Sequence, residues 1–313
     1  MAANPAPAAQ VDWTQGDHSG KVQLPDGHSL HLIASGPARQ SPGAPAVIIE
    51  HGRGGAASEW VAVQRLLARF ARVYLYERAG YHHSDPPPEA PTPQNIAADL
   101  RMLLRTADIE PPYLLVGHSY GGTLIRQYLA DYTEEVYGMV ILDSPPVVTE
   151  LPPSWPTLLG DSTYEQIVGI SVNHILTDQE YRTMQSDGDM SAGIATTEAE
   201  LQHDSCKVLK ERLDATPNIL NGRLSVVFCD ESTDFRKIYE YGVKHGNGTE
   251  GAREALRKRL QDMSEVDEAA MREQLALSRE SRFVKAEGEQ KTHNVHIVDP
   301  EFVAREVRWV YGS

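Results

Sequence analysis

The segment that most constrains this chain is YLLVGHSYGGTLIRQYLADY, which begins at Tyr113. Tyr113 to Val116 is short, apolar and preceded by two prolines, which suits a buried strand. Thr123 to Tyr132 carries helical apolar spacing at Leu124, Tyr128 and Leu129. Ser119 therefore stands at a strand-to-helix corner. Gly117, Ser119 and Gly121 fit the pattern G-x-S-x-G, in which glycines flank the serine because neighbouring backbone crowds so sharp a turn. A serine ahead of a helix can be a simple N-cap. The strand before this one and the helix after it are the context in which the turn instead holds a hydroxyl strained and exposed.

The same strand and helix rhythm runs along much of the chain. KVQLPDGHSLHLIASG reads as a hairpin turning at Pro25-Asp26-Gly27, AVIIEHG (46–52) as a buried strand and SEWVAVQRLLARF as an amphipathic helix. RVYLYER (72–78), YGMVILDS, LSVVFCD (224–230) and RFVKAEG supply further strands, with helices at QNIAADLRMLLRTA and DPEFVAREVRWVYG. Sustained alternation predicts an α/β class fold with a mostly parallel central sheet flanked by helices on both faces. The rhythm breaks twice. Residues 145–223 are too long for a loop and predict a helical insertion, a cap that covers the Ser119 corner without supporting it. Residues 231–281 are dense in helix formers and alternating charge, and predict a solvated helix pair whose DESTDF carboxylates face water. The core is thus assigned to 20–144 and 224–313, behind an Ala/Pro-rich, disordered tail over 1–19.

Composition narrows the partners. A formal net charge of -15 and a pI near 5.2 oppose binding to nucleic acid and to anionic membrane surfaces. No apolar run reaches membrane-spanning length, and MAANPAPAAQ lacks both the basic start and the apolar core of a signal peptide, so a cytoplasmic location is expected. Cys206 and Cys229 show no C-x-x-C spacing and read as buried thiols. None of the 12 histidines falls in an H-E-x-x-H arrangement, and the pair His82-His83 lacks accompanying ligand spacing. Neither a metal nor an organic cofactor is expected. The expected partner is a small-molecule substrate.

A serine hydroxyl needs a base within hydrogen-bond reach and a third group to orient that base. THNVHIVDPEFVAREV places His293 in a loop after the last expected strand. The chain order serine, acid, histidine is the one that the G-x-S-x-G turn demands. At this point the chain resembles the α/β-hydrolase fold family, across most of its length. VIIEHGRGG is similar to the His-Gly oxyanion turn after the third strand, YERAGYHHSD to the D-R-x-G-x-G-x-S-D loop after the fourth, and LLVGHSYGG to the nucleophile elbow. HNVHIVDPEFV resembles the ending G-H-x-x-x-L-x-x-P-E, with His293 seven residues before Pro300, which favours His293 over His296. Departures are Glu77 for the usual aspartate, His82-His83 for a glycine-containing pair, and Thr292 for the glycine before the histidine.

The resemblance implies Ser119 as nucleophile, His293 as base, and oxyanion donors at the backbone N–H groups of Tyr120 and Arg53. The family's usual acid follows the seventh strand, where Asp230, Glu231 and Asp234 are available; a minority of members place it after the sixth, where Asp143 stands. Asp143 is preferred. The implied activity is hydrolysis of an ester, lactone or amide of a small to medium organic substrate through an acyl-enzyme, with activity rising through an apparent pKa of roughly 6 to 7. Trp155, Leu158, Leu159 and Ile175 are candidate pocket walls, or simply the core of the cap. Non-hydrolytic chemistry on the same fold (cyclisation, lyase or C–C cleavage) and a ligand-binding non-enzyme are the alternative readings.

Overall fold

Along the central strand, Leu114 and Val116 point to one face of a sheet while Tyr113 and Leu115 point to the other, and all four are fully buried. A strand covered on both faces is the mark of a sheet sandwiched between helices. In the computed structural model, which describes residues 11–147 and 150–312, this is the arrangement found. The elements begin with β1 (His18–Gln23), β2 (Ser29–Ser35), β3 (Ala46–Glu50), α1 (Val61–Leu67), β4 (Val73–Glu77) and α2 (Pro93–Thr106). They continue with β5 (Tyr113–His118), α3 (Tyr120–Asp131) and β6 (Val136–Leu142). The insertion holds α4 (Tyr164–Val168), α5 (Ile170–Asn173) and α6 (Asp178–Asp214). Then come β7 (Leu220–Phe228), α7 (Ser232–His245), α8 (Glu250–Arg259), α9 (Met263–Glu273), β8 (Ser278–Lys285), α10 (Val295–Val298) and α11 (Pro300–Tyr311).

Among the described residues, eight strands form one sheet in the order β1-β2-β4-β3-β5-β6-β7-β8. The hairpin strands β1 and β2 pair antiparallel, β2 is antiparallel to β4, and the remaining pairs are parallel. On one face, α2, α3 and the C-terminal part of α6 pack through Leu103, Ile125, Leu129, Leu209 and Leu213. On the other, α1 and α11 pack through Val63, Leu67, Val303 and Val307. The parallel register aligns the C-terminal ends of β3, β5, β6 and β7, pairing Glu50 with Gly117, His118 with Leu142, and Leu142 with Val227. Ligand sites of parallel sheets form along such an edge, because the loops that follow the strands converge there.

Several expectations need correction. Residues 1–10 of the expected tail lie outside the described residues, but residues 11–19 are no tail. Trp13 is buried, its carbonyl accepts bonds from the Arg72 guanidinium at 2.7 Å and the Tyr74 hydroxyl at 2.9 Å, and β1 already starts at His18. The insertion is helical, yet β7 begins at Leu220 rather than at 224, and β8 at Ser278 rather than at 282. In place of a solvated pair over 231–281, three helices, α7 to α9, occupy 232–273, and 278–281 already belong to β8. Phe235, Ile238, Leu256 and Met263 from this segment share one buried cluster with Leu158, Val168, Ile170 and Met184 of the insertion. The apolar residues are few, but at helical spacing they make a stripe wide enough to seal against a neighbouring helix.

The longest element, α6, has 37 residues and so spans about 55 Å at 1.5 Å per residue. A capping box starts it: Thr177 Oγ1 accepts the Glu180 N–H and the Glu180 carboxylate accepts the Thr177 N–H. It runs from the insertion cluster, where Met184 is buried, to the sheet face, where Leu209 and Leu213 are buried.

Candidate active site

Ser119 sits between β5 and α3 with φ 54 and ψ −123, a left-handed conformation that strains any residue with a side chain. The close packing around it explains the glycines. A Cβ on Gly117 would stand 2.5 Å from the Gly121 carbonyl oxygen, and one on Gly121 would stand 2.1 Å from the Glu50 carbonyl oxygen. Only glycine lets the turn press this closely against the end of β3.

Ser119 lines a cavity of about 140 Å³ together with Arg53, Tyr120, Asp143, Glu231, Gln202 and His293. His293 Nδ1 donates to Asp143 Oδ2 at 2.8 Å. The other oxygen of Asp143 accepts the Cys229 N–H at 2.8 Å, and the Asp143 N–H donates to the Val227 carbonyl at 2.8 Å. The carboxylate is thereby held to the end of β7 while its residue belongs to the end of β6. The carboxylates after β7 do different things. Asp230 pairs with Lys291 at 3.0 Å and accepts from the Ser232 hydroxyl. Asp234, fully buried, accepts the His293 N–H at 2.9 Å and the Thr292 hydroxyl at 2.8 Å, gripping the backbone of the histidine loop. Glu231 lies 4.0 Å from His293 Nδ1. The expected solvation of the DESTDF carboxylates is thus overturned for Asp230 and Asp234, at 6% and 0% exposure.

These charges set the histidine. Burial alone presses the His293 pKa down, but the negative charge of Glu231, the hydrogen bond to Asp143 and the Asp143 charge outweigh it and hold the pKa at about 9. Burial pushes the Glu231 carboxyl up to about 7, against the pull of His293. His118, between Gly117 and Ser119, is kept neutral by burial and by the two histidines beside it, His293 and His296. Its Nε2 donates to the His293 carbonyl at 2.8 Å, giving the loop a second anchor. His296 takes no part in the cavity: it is fully buried, stacked on Trp60 at 4.6 Å and 3.7 Å from Glu59.

On the opposite side of Ser119, the loop after β3 is organised by one arginine. Arg78, 1% exposed, donates to the carbonyls of His51 at 2.8 Å and Gly52 at 3.1 Å. It is balanced by Glu50 at 2.8 Å and by Glu198 of α6 at 2.9 Å. The Tyr81 hydroxyl donates to Glu198 and accepts the Gly54 N–H at 3.1 Å. One turn further along α6, Gln202 accepts from the Arg53 guanidinium. The insertion therefore supports this loop and does not merely cover it, which corrects the expectation. Glu77, the departure from the usual aspartate, accepts the Ala57 N–H at 3.0 Å and so fixes the start of the helix that follows the loop. Among the described residues, the backbone N–H groups of Arg53 and Tyr120 have no acceptor within the protein.

Of the candidate pocket walls, Leu158 is fully buried in the helical cluster, Trp155 and Leu159 pack against that cluster, and Ile175 is 55% exposed. Among the described residues, Pro145, Leu151 and Gln202 are the insertion residues that line the cavity. Glu198 and Gln202 carry a signal that apolar periodicity overlooks. Met184, Asp187, Ser191, Glu198, Gln202, Cys206, Leu209 and Leu213 are all buried at helical spacing, so the inward stripe of α6 is polar in the middle and apolar at both ends. Among the described residues, Asp26, His28 and Asp99 have ligand atoms within 4.8 Å of one another, but they lie outside the Ser119 cavity and His28 Nδ1 is already bonded to Asp26 at 2.7 Å.

Comparison with known proteins agrees with this architecture. Residues 45–163 match the model of the alpha/beta hydrolase fold. An AB hydrolase superfamily protein of Gibberella zeae is 32% identical over 298 residues, which cover 89% of this chain and 90% of that protein. The enol-lactonase from Burkholderia xenovorans LB400 superposes with a TM-score of 0.58 at 14% identity, covering 94% of this chain and 100% of that one. An esterase from Rhodococcus sp. ECU1013 superposes with a TM-score of 0.55 at 18% identity, covering 94% and 98%. At such identities the two structures share the fold alone. No helix among the described residues is long and apolar enough to cross a membrane. With the sheet order, the strained serine between β5 and α3 and a relative matched along nearly its whole length, the chain belongs to the α/β-hydrolase family.

Proposed function

We propose that this α/β-hydrolase is a serine hydrolase that cleaves an ester, lactone or amide of a small to medium organic substrate through an acyl-enzyme. The observation that carries the reading is the His293 Nδ1 to Asp143 Oδ2 bond of 2.8 Å in a ring that lines the same cavity as Ser119. With Nδ1 committed as a donor, Nε2 is the nitrogen left to take a proton from the Ser119 hydroxyl as it attacks a carbonyl. Asp143 stabilises the imidazolium that forms, and the Tyr120 and Arg53 N–H groups receive the developing oxyanion. His293 then returns the proton to the leaving group, and water activated by the same ring releases the acyl group. Every step uses side chains and backbone of this chain. The helices of the insertion act as a cap, closing the cavity with Leu151 and Gln202.

A fluorophosphonate probe tests the reading. Labelling is expected at Ser119 in the wild type and is expected to vanish, together with ester turnover, in Ser119→Ala with an unchanged circular dichroism spectrum. Near-normal turnover by that variant would overturn the assignment. Incorporation of labelled solvent oxygen into the product separates hydrolysis from acyl transfer to another acceptor and from non-hydrolytic cyclisation, lyase or C–C cleavage chemistry.

A further inference from the structure

A second cavity, of about 240 Å³, lies between α3, α6 and the turn from α9 into β8. It shares no lining residue with the Ser119 cavity. Most of its wall is apolar, from Pro146, Leu213, Ala276 and Leu277, but a guanidinium stands in it: Arg126 of α3, 1% exposed. A buried cation ordinarily requires a counter-charge, because removing it from water costs far more than neutral hydrogen bonds return. No carboxylate pairs with Arg126 among the described residues, and the ionisable group that faces it is the buried thiol of Cys206. Nε donates to the Gly122 carbonyl at 2.9 Å, and Nη2 reaches the Thr123 hydroxyl at 3.2 Å, the Ser144 hydroxyl at 3.4 Å and the Pro145 carbonyl at 3.1 Å. Nη1 has no protein acceptor among the described residues.

The acids of this cavity are already spoken for. Asp214 and Glu273 both bind Lys210, at 2.6 and 3.1 Å, and their side chains are 60% and 57% exposed, at the mouth. Gln274 supplies a second unmet polar group. Its amide nitrogen donates to the Ser144 carbonyl at 3.0 Å, while its oxygen is buried without a partner. An open donor on a buried cation, a buried orphan acceptor and an apolar wall form one composite surface. Its complement is a small organic molecule with a carboxylate for Arg126, a neighbouring hydroxyl or N–H for Gln274, and an apolar body. An apolar cavity of about 150 Å³ already accommodates benzene, so a ring-sized carboxylate fits the volume here.

We propose that this cavity is a second binding site, separate from the Ser119 site, for a small organic carboxylate held by Arg126. The two sites share a wall, since Arg126 and Gln274 both bond to the Ser144-Pro145 backbone that faces Ser119 on its other side. The site does not depend on the hydrolase reading.

Calorimetric titration of the whole protein with benzoate, and with the neutral isostere benzamide, tests it. Benzoate is expected to saturate a single site below about 10 mM, with benzamide at least tenfold weaker, because the amide still offers a carbonyl acceptor but no negative charge to balance the buried Arg126. Arg126→Met should weaken benzoate at least tenfold. Leu213→Trp should abolish benzoate binding by filling the cavity while leaving the guanidinium in place. Leu151→Trp, which fills the Ser119 cavity instead, should leave benzoate binding intact. Equal affinity for benzamide, no saturation by about 10 mM, or loss of binding in Leu151→Trp with retention in Leu213→Trp would each overturn the proposal.

Discussion

Ser119 is flanked by two loops that are held in place by different means. The histidine loop is fixed by carboxylates of the core: Asp143 from the end of β6 orients the ring, and Asp234 from α7 holds the backbone. The loop after β3 is fixed by Arg78, whose charge is balanced partly by Glu50 and partly by Glu198, which arrives from the insertion. The first takes its carboxylates from the sheet and the helices that follow its strands, and the insertion adds only a neutral hydroxyl, Tyr164, which donates to Asp234 at 3.4 Å and accepts from the Asn294 amide at 3.3 Å. The second is completed only when α6 lies across the core, so the loop that carries Arg53, a proposed oxyanion donor, is coupled to the docking of the insertion.

The largest effect should fall on the histidine side. Asp143→Asn is expected to lower kcat by up to about ten-thousand-fold with little change in KM, because the amide favours the wrong imidazole tautomer and cannot stabilise the imidazolium. Wild-type kcat in this variant would show that another carboxylate orients the ring. Next comes the clamp on the other side. Glu198→Ala strips one partner from a fully buried ion pair, and a loss of about 3 to 5 kcal/mol in urea unfolding is expected, together with slower labelling of Ser119. An unchanged urea midpoint with unchanged labelling would break the comparison, since α6 would then be a cover and nothing more.

Asp234→Asn sharpens the distinction between orienting a ring and holding a backbone. It removes a charged acceptor from the His293 N–H and the Thr292 hydroxyl, and a loss of about 1.5 to 3 kcal/mol, read in unfolding and as a ten- to hundredfold fall in kcat, is expected. A fall as deep as that of Asp143→Asn would transfer the acid's role to Asp234. The smallest effect concerns pH. The base must be neutral to accept a proton, so activity is expected to rise with pH through the His293 pKa of about 9, rather than through the 6 to 7 of an ordinary histidine. Glu231→Gln removes the anion 4.0 Å away, lowers that midpoint and raises activity near neutral pH. A midpoint that stays in place would exclude Glu231 as the source of the shift.

Much of the site could be read in advance because its parts follow strands. Ser119, Asp143 and the HGRGG turn each stand directly after an apolar run, and His293 precedes an amphipathic helix at a recognisable distance. Strand and helix periodicity are local properties, so a single chain segment reveals them. The solvated helix pair expected at 231–281 failed for the opposite reason. Whether Phe235 and Ile238 meet solvent or Leu158 depends on a segment some eighty residues away. The Trp13 contacts with Arg72 and Tyr74 are equally long-range, and nothing in the Ala/Pro-rich start announces them.

The sequence by itself determined the alternating α/β layers, the serine turn between β5 and α3 and the small set of groups able to act around it, since each follows from residue spacing within one segment. The tertiary structure alone decided which acid meets His293, what the other acids do, and that Glu198, Gln202 and Arg126 matter at all. Charges act through distance in space, and the distance from Glu198 to Arg78, 120 positions apart in the chain, exists only once the insertion has packed.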